Sequence, residues 1–117
     1  MESSSAYRVW NRGKKIVALD PDIPEARSTV LELARNADVF LESFQPGVAA
    51  RWGLDYSSIR DINPAIIYCS ISAFGPSGPW AQRPAYEWLV AAASGIMTDQ
   101  VGVRDGPMYS SIPMASI

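Results

Sequence analysis

The residues with chemistry to offer are clustered in a few stretches of the 117-residue chain. Glu42-Ser43-Phe44-Gln45-Pro46-Gly47 closes a short apolar run, and Arg51 follows one helical turn later. Pro46-Gly47 opens a helix whose free N–H groups can face an anion, with Arg51 as a second positive group. An ordinary strand-to-helix connection with an exposed arginine has the same text, so both readings stand. Arg8, Arg12, Lys14 and Lys15 form a basic cluster opposed only by Glu2 before Asp20. Phosphate pairing and a solvated charged edge fit it alike. Gly75-Pro76-Ser77-Gly78-Pro79 is either a loop that closes over a ligand or a stiffened turn. Glu87 stands in the first turn of an apolar helix, where the dipole favours a carboxylate whatever its role. Cys69 alternates with apolar neighbours and reads as a small buried packing residue. Trp10, Trp52, Trp80 and Trp88 are too far apart to form an aromatic box and read as core or interface groups.

Composition removes several function classes. The chain has no histidine, which excludes a Ser-His-Asp or Cys-His nucleophile system within it and takes away the commonest metal ligand. Ten Lys/Arg against twelve Asp/Glu give a net charge of −2, so there is no general case for nucleic-acid or membrane-surface binding. No apolar run approaches the ~20 residues of a membrane span, and the polar stretch Met1 to Tyr7 is unlike a signal peptide. A single cysteine rules out an internal disulfide and fits a reducing, cytoplasmic compartment.

The elements that must position these groups follow from hydrophobic spacing. The length suits one domain, and the 48% apolar content is that of a globular chain. Ile16 to Leu19, closed by Asp20-Pro21, reads as a buried strand. Pro24 then suits a first helical turn, and Ala26, Val30, Leu33, Ala34 and Ala37 line one face of an amphipathic helix. Val39-Phe40-Leu41 is a second strand. A short helix near Tyr56 to Ile62 leads to a third strand, Ile66 to Ile71. Residues 73–84 read as a Gly/Pro loop, after which Tyr86, Leu89, Val90, Ala93 and Met97 restore helical spacing.

Strand, helix and strand within about thirty residues is a βαβ pattern. The expected fold is therefore α/β, a partial Rossmann-like parallel sheet covered by helices on one face or both. Such a sheet usually opens with a strand and a glycine-rich turn, whereas only a polar lead precedes Ile16. The last residues stop within an apolar run. Both features suggest one partial domain over residues 1–117, with a βαβ segment at 1–72, the loop at 73–84 and a helix with a terminal segment at 85–117.

Taken together, several segments carry a family resemblance. They are Asn11-Arg12-Gly13-Lys14-Lys15-Ile16-Val17-Ala18-Leu19-Asp20 and Ala37-Asp38-Val39-Phe40-Leu41-Glu42-Ser43-Phe44-Gln45-Pro46-Gly47. Ile62-Asn63-Pro64, Ile67-Tyr68-Cys69-Ser70-Ile71-Ser72, Phe74-Gly75 to Gly78-Pro79 and Arg83-Pro84-Ala85-Tyr86-Glu87 continue the series. In this order they resemble the family III CoA-transferases, the group of formyl-CoA transferase and carnitine CoA-transferase.

The resemblance implies a large-domain segment of an enzyme that moves CoA between carboxylic acids. Its substrates would be acyl-CoA and a carboxylic acid, with no permanently bound cofactor, and its subunits would form an interlocked homodimer. In such enzymes an aspartate attacks the thioester and carries the group through an anhydride and an aspartyl-CoA thioester. By the same resemblance Leu19 lies by the adenine, Ser43 and Phe44 contact CoA, Arg51 binds phosphate and Glu87 is the carboxylate near the nucleophile. Asp22 or its neighbour stands where the family has a basic residue.

The chief departure is Ile112-Pro113-Met114-Ala115-Ser116-Ile117, where Ser116 occupies the place of the nucleophilic aspartate. A neutral hydroxyl needs a base to attack, so little or no CoA transfer is expected. That favours an alternative, a non-catalytic acyl-CoA-binding or dimer-supporting domain such as a degenerate transferase half. The related α-methylacyl-CoA racemases carry a histidine where Tyr86 stands, which makes racemisation a weaker reading.

Overall fold

The computed structural model describes residues 5–20, 22–98 and 105–108. In chain order the elements are α1 (Ser5–Trp10), α2 (Pro24–Arg35), β1 (Val39–Glu42), α3 (Val48–Arg51), α4 (Tyr56–Ile62), β2 (Ile67–Ser70) and α5 (Glu87–Ala93). β1 and β2 pair in parallel, with Val39 opposite Ile67, Phe40 opposite Tyr68 and Glu42 opposite Ser70. Helices α3 and α4 make the crossover between them, as a parallel pair requires.

Alternation along the strands decides which side faces the helices. Phe40 and Tyr68 stack with ring centroids 5.4 Å apart and pack onto the cluster of Ala34, Leu54, Ile59 and Ile66. Val39, Leu41 and Ile67 point the other way and are exposed. Among the described residues, helices therefore cover one face of the sheet.

Helix α2 starts at Pro24, whose missing N–H costs nothing in the first turn. Glu25 in that turn and Arg35 in the last complement the helix dipole. Small side chains at Ala26 and Ala34 are buried and allow close approach to the rest of the core. At α4, the Asp55 carboxylate accepts from the Ser57 and Ser58 hydroxyls. Those bonds hold its pKa below the ordinary carboxylate value. The help it gives the native state is thus present above its unfolded pKa and lost as pH falls through the folded one.

The ends of α2 and α4 are tied by one side chain. Asn63 Nδ2 donates to the carbonyls of Ala34 at 3.0 Å and Ala37 at 2.9 Å, while its Oδ1 accepts from the Ala65 N–H at 3.3 Å. Asn63→Asp removes both donors and sets a negative charge against carbonyls at a helix C-terminus. We expect it to destabilise the chain by about 1–3 kcal/mol, read as a lower urea midpoint with an unchanged slope. Tyr68 makes a similar long tie, donating from its hydroxyl to the Leu54 carbonyl at 3.0 Å. Burial, with the Glu42 and Asp55 charges, raises its pKa above 10, so it stays a donor at ordinary pH.

The structure departs from the sequence expectation in several places. Ile16 to Leu19 is irregular, not a strand, and Ile16 and Val17 are 59% and 62% exposed. Among the described residues no neighbouring strand offers that run a ladder, and an apolar run does not become a strand without one. The parallel pair is accordingly the second and third expected strands, joined by α3 and α4, not the first and second joined by α2. Leu33 is 59% exposed, off the buried face that Ala26 and Ala34 define. Cys69 is half-buried, because the side of the sheet it shares with Leu41 is uncovered. The regular part of the last helix ends at Ala93, with Tyr86 as its N-cap and 55% exposed. Helix α1 was not anticipated; at six residues it is too short for spacing alone to mark it. Among the described residues no helix is long and apolar enough to cross a membrane.

Candidate functional site

Two hollows meet at the ring of Phe44. The first is a groove of about 280 Å³ with Val17, Leu19, Arg27, Phe44, Trp52 and Leu54 in its walls. The second, about 180 Å³, includes Ser43, Phe44, Pro46, Ser72, Phe74 and Arg83. It lies beyond the carboxyl ends of both strands, where open α/β sheets take ligands.

Local chemistry fixes the segment between them. Glu42 ends β1 and is buried, 8% exposed, yet its carboxylate is satisfied because Oε2 accepts the Phe44 N–H at 2.7 Å. This charge-assisted bond holds the turn that turns Ser43 into one hollow and Phe44 against both. The chain then reaches Gly47, whose φ of +90° is a conformation open to glycine, and enters α3. Arg51 closes α3 with its guanidinium 5.7 Å from the centroid of the Trp52 ring, a cation–π arrangement. Trp52 in turn meets Phe44 edge to face at 5.1 Å. The groove thus has aliphatic and aromatic walls with a cation stacked on one of them.

The residues singled out in the sequence fall as follows. Leu19 and Phe44 share the groove, whereas Arg51 is not among its lining residues and meets it only by stacking on Trp52, which is. Ser43 and Phe44 share the second hollow. Glu87 is the first residue of α5 and half-buried, two positions beyond Ala85, which lines the second hollow. Ser116 lies outside the described residues. Arg8 and Arg12 flank a depression of their own with Ser5 and Val9. Gly75 and Gly78 take φ of +83° and +101°, and the loop they belong to brings Phe74 and Arg83 to the second hollow. There Arg83 stacks on Trp80 at 4.9 Å, and Trp80 meets Phe74 edge-on at 5.7 Å.

Sequence reasoning missed Arg27, Trp52 as a groove wall, and the part played by the Glu42 carboxylate. Arg27 directly follows Ala26 at the margin of the buried face of α2, and Trp52 directly follows Arg51. Adjacency to residues already in view was the available signal for both.

The whole chain, residues 1–117, matches the pattern of CoA-transferase family III. The chain belongs to this family. As a family III CoA-transferase sequence it is 41% identical over 116 residues to the succinate–glutarate CoA-transferase of Agrobacterium fabrum, covering 98% of this chain and 29% of that protein. It is 46% identical over 106 residues to the acetyl-CoA:oxalate CoA-transferase of Acetobacter aceti, covering 91% and 27%. Its structure superposes on a CAIB/BAIF family protein from Brucella suis with a TM-score of 0.77 and 39% identity, over 86% of this chain and 27% of that one. The chain therefore spans less than a third of the length of these relatives. Its partial α/β fold, with a parallel two-stranded sheet, matches the Brucella suis structure.

Proposed function

We propose that this chain is the CoA-binding segment of an enzyme that moves CoA between carboxylic acids. The observation that carries this reading is the groove between Leu19, Phe44 and Trp52, with Arg51 stacked on one wall. Flat apolar walls suit a purine ring, and a guanidinium at the rim suits the phosphates that follow it. The second hollow begins on the other side of Phe44 and gives the pantetheine arm and acyl group a path toward the strand ends. Ser43 then contacts CoA there, and Glu87 serves near the reacting carbon.

In the complete transferase, an aspartate would attack the thioester carbon, release CoA thiolate and hold the acyl group as an anhydride. The thiolate would return to give aspartyl-CoA and free the first acid. Ser116 stands at that position in this sequence, and it favours a second reading: a segment that binds acyl-CoA or supports a homodimer without transferring the group. The first reading and the acyl-CoA-binding form of the second take acyl-CoA as ligand, and the single cysteine accords with a cytoplasmic setting. Racemisation is disfavoured under either, since Tyr86 is a poor proton acceptor beside an imidazole.

Equilibrium binding of CoA to the unaltered chain and to Arg51→Ala tests the assignment. We expect the variant to bind about tenfold more weakly, the loss of one charge-assisted contact. Equal affinities would remove Arg51 from the site.

A further inference from the structure

The groove has a second cation that the Arg51 assignment leaves unused. Arg27 projects from the first turns of α2 into its wall beside Leu19. Its guanidinium lies against Gly53, so closely that a Cβ at that position would overlap it. Gly53 has φ of +64°, in the region that favours glycine, so the turn after α3 is both shaped and bare enough to receive the arginine. Among the described residues Arg27 has no carboxylate partner. Arg27, from α2, lines the groove itself, while Arg51, at the end of α3, stacks on Trp52, another of its lining residues.

Charge on the opposite approach narrows what Arg27 would meet. Leu19 is followed by Asp20, whose Oδ1 accepts the Asp22 N–H at 3.1 Å. Two carboxylates therefore sit just past the groove on that stretch of chain, and an anion near Leu19 must find its counter-charge elsewhere. Within the lining of the groove, Arg27 is the charged residue. In CoA the adenine and the 3′-phosphate are carried by the same ribose, so a purine seated against Leu19 puts that phosphate close by.

We propose that Arg27 binds the 3′-phosphate of CoA, leaving the diphosphate to Arg51. This rests on reading the groove as the CoA site. It makes Arg27 the residue by which the site tells CoA from its dephosphorylated form, because a guanidinium built to pair with a phosphate gains nothing from a bare hydroxyl.

The test is equilibrium binding of CoA and dephospho-CoA to the unaltered chain, Arg27→Gln, Arg27→Lys and Arg51→Ala, with thermal midpoints recorded for each. The unaltered chain is expected to prefer CoA by about tenfold or more. Arg27→Gln should lose that preference by weakening CoA alone, with dephospho-CoA within about twofold of its original affinity. Arg27→Lys, which keeps the charge without the fork, should retain part of the preference. Arg51→Ala should weaken both ligands together. The proposal is overturned if Arg27→Gln binds CoA as well as the unaltered chain does, or if both ligands weaken equally, which marks a structural role. A chain that binds neither ligand overturns the CoA reading itself. A lost preference in Arg27→Gln beside an unaffected Arg51→Ala would sink the Arg51 assignment and keep this one.

Discussion

Ser116→Asp is expected to yield a hydroxylamine-trappable adduct from acyl-CoA, whereas the natural sequence yields none above background. An aspartate is ionised at neutral pH, about three units above its usual pKa, and needs no base to attack. Attack expels CoA thiolate and leaves an acyl anhydride, which hydroxylamine cleaves to a hydroxamate. A serine hydroxyl must lose a proton as it attacks. The chain has no histidine to take that proton, which leaves Glu87 as the base that the family resemblance offers. General base assistance is worth roughly 10²–10⁴ in rate, so a difference of about a hundredfold in trapped hydroxamate is expected between the two chains. Equal trapping would show that the serine is competent and would end the non-catalytic reading. No trapping by a Ser116→Asp chain that still binds CoA would mean that position 116 is not where the nucleophile belongs.

Ile59→Ala is expected to be the most destabilising single truncation. Ile59 is fully buried, at 0% exposure, and sits where α4 packs on α2 and on the inner face of the sheet, with Ala34, Leu54 and Ile66 around it. Removing three carbons there costs transfer free energy and leaves a cavity, about 2–5 kcal/mol in comparable cores. Few other side chains are buried to this degree in the described structure, so little remains to absorb the loss. Denaturant unfolding followed by circular dichroism should show the midpoint falling by most of its range. Leu33→Ala, at an exposed position of α2, is the matched control. A loss below about 1 kcal/mol at Ile59 would mean that the core is organised elsewhere.

The elements that carry their own signal were legible in the sequence. Pro24 followed by a helical apolar spacing marked α2, and the short apolar runs Val39 to Leu41 and Ile66 to Ile71 marked both strands. Pro46-Gly47 marked the start of α3. Ile16 to Leu19 was misread because strand formation depends on a partner that the run itself does not encode. Leu33 was misread because spacing alone does not say where a buried stripe ends. At the site, roles for Leu19, Ser43, Phe44 and Arg51 came from a resemblance to a family, and the groove brings two of them, Leu19 and Phe44, together. Arg27 escaped notice because its significance lies in Gly53, a residue twenty-six positions away with no side chain to announce the contact.

Trp52 gives the molecule an optical gauge of its own. An indole that forms one wall of a groove open to solvent, with a phenyl edge against it and a cation over its face, changes its emission when a purine takes the place of solvent beside it. Trp10, Trp80 and Trp88 stand exposed, so quenchers in bulk solvent reach them first. What remains after quenching is weighted toward Trp52, and occupancy of the groove can be followed by light without attaching a label.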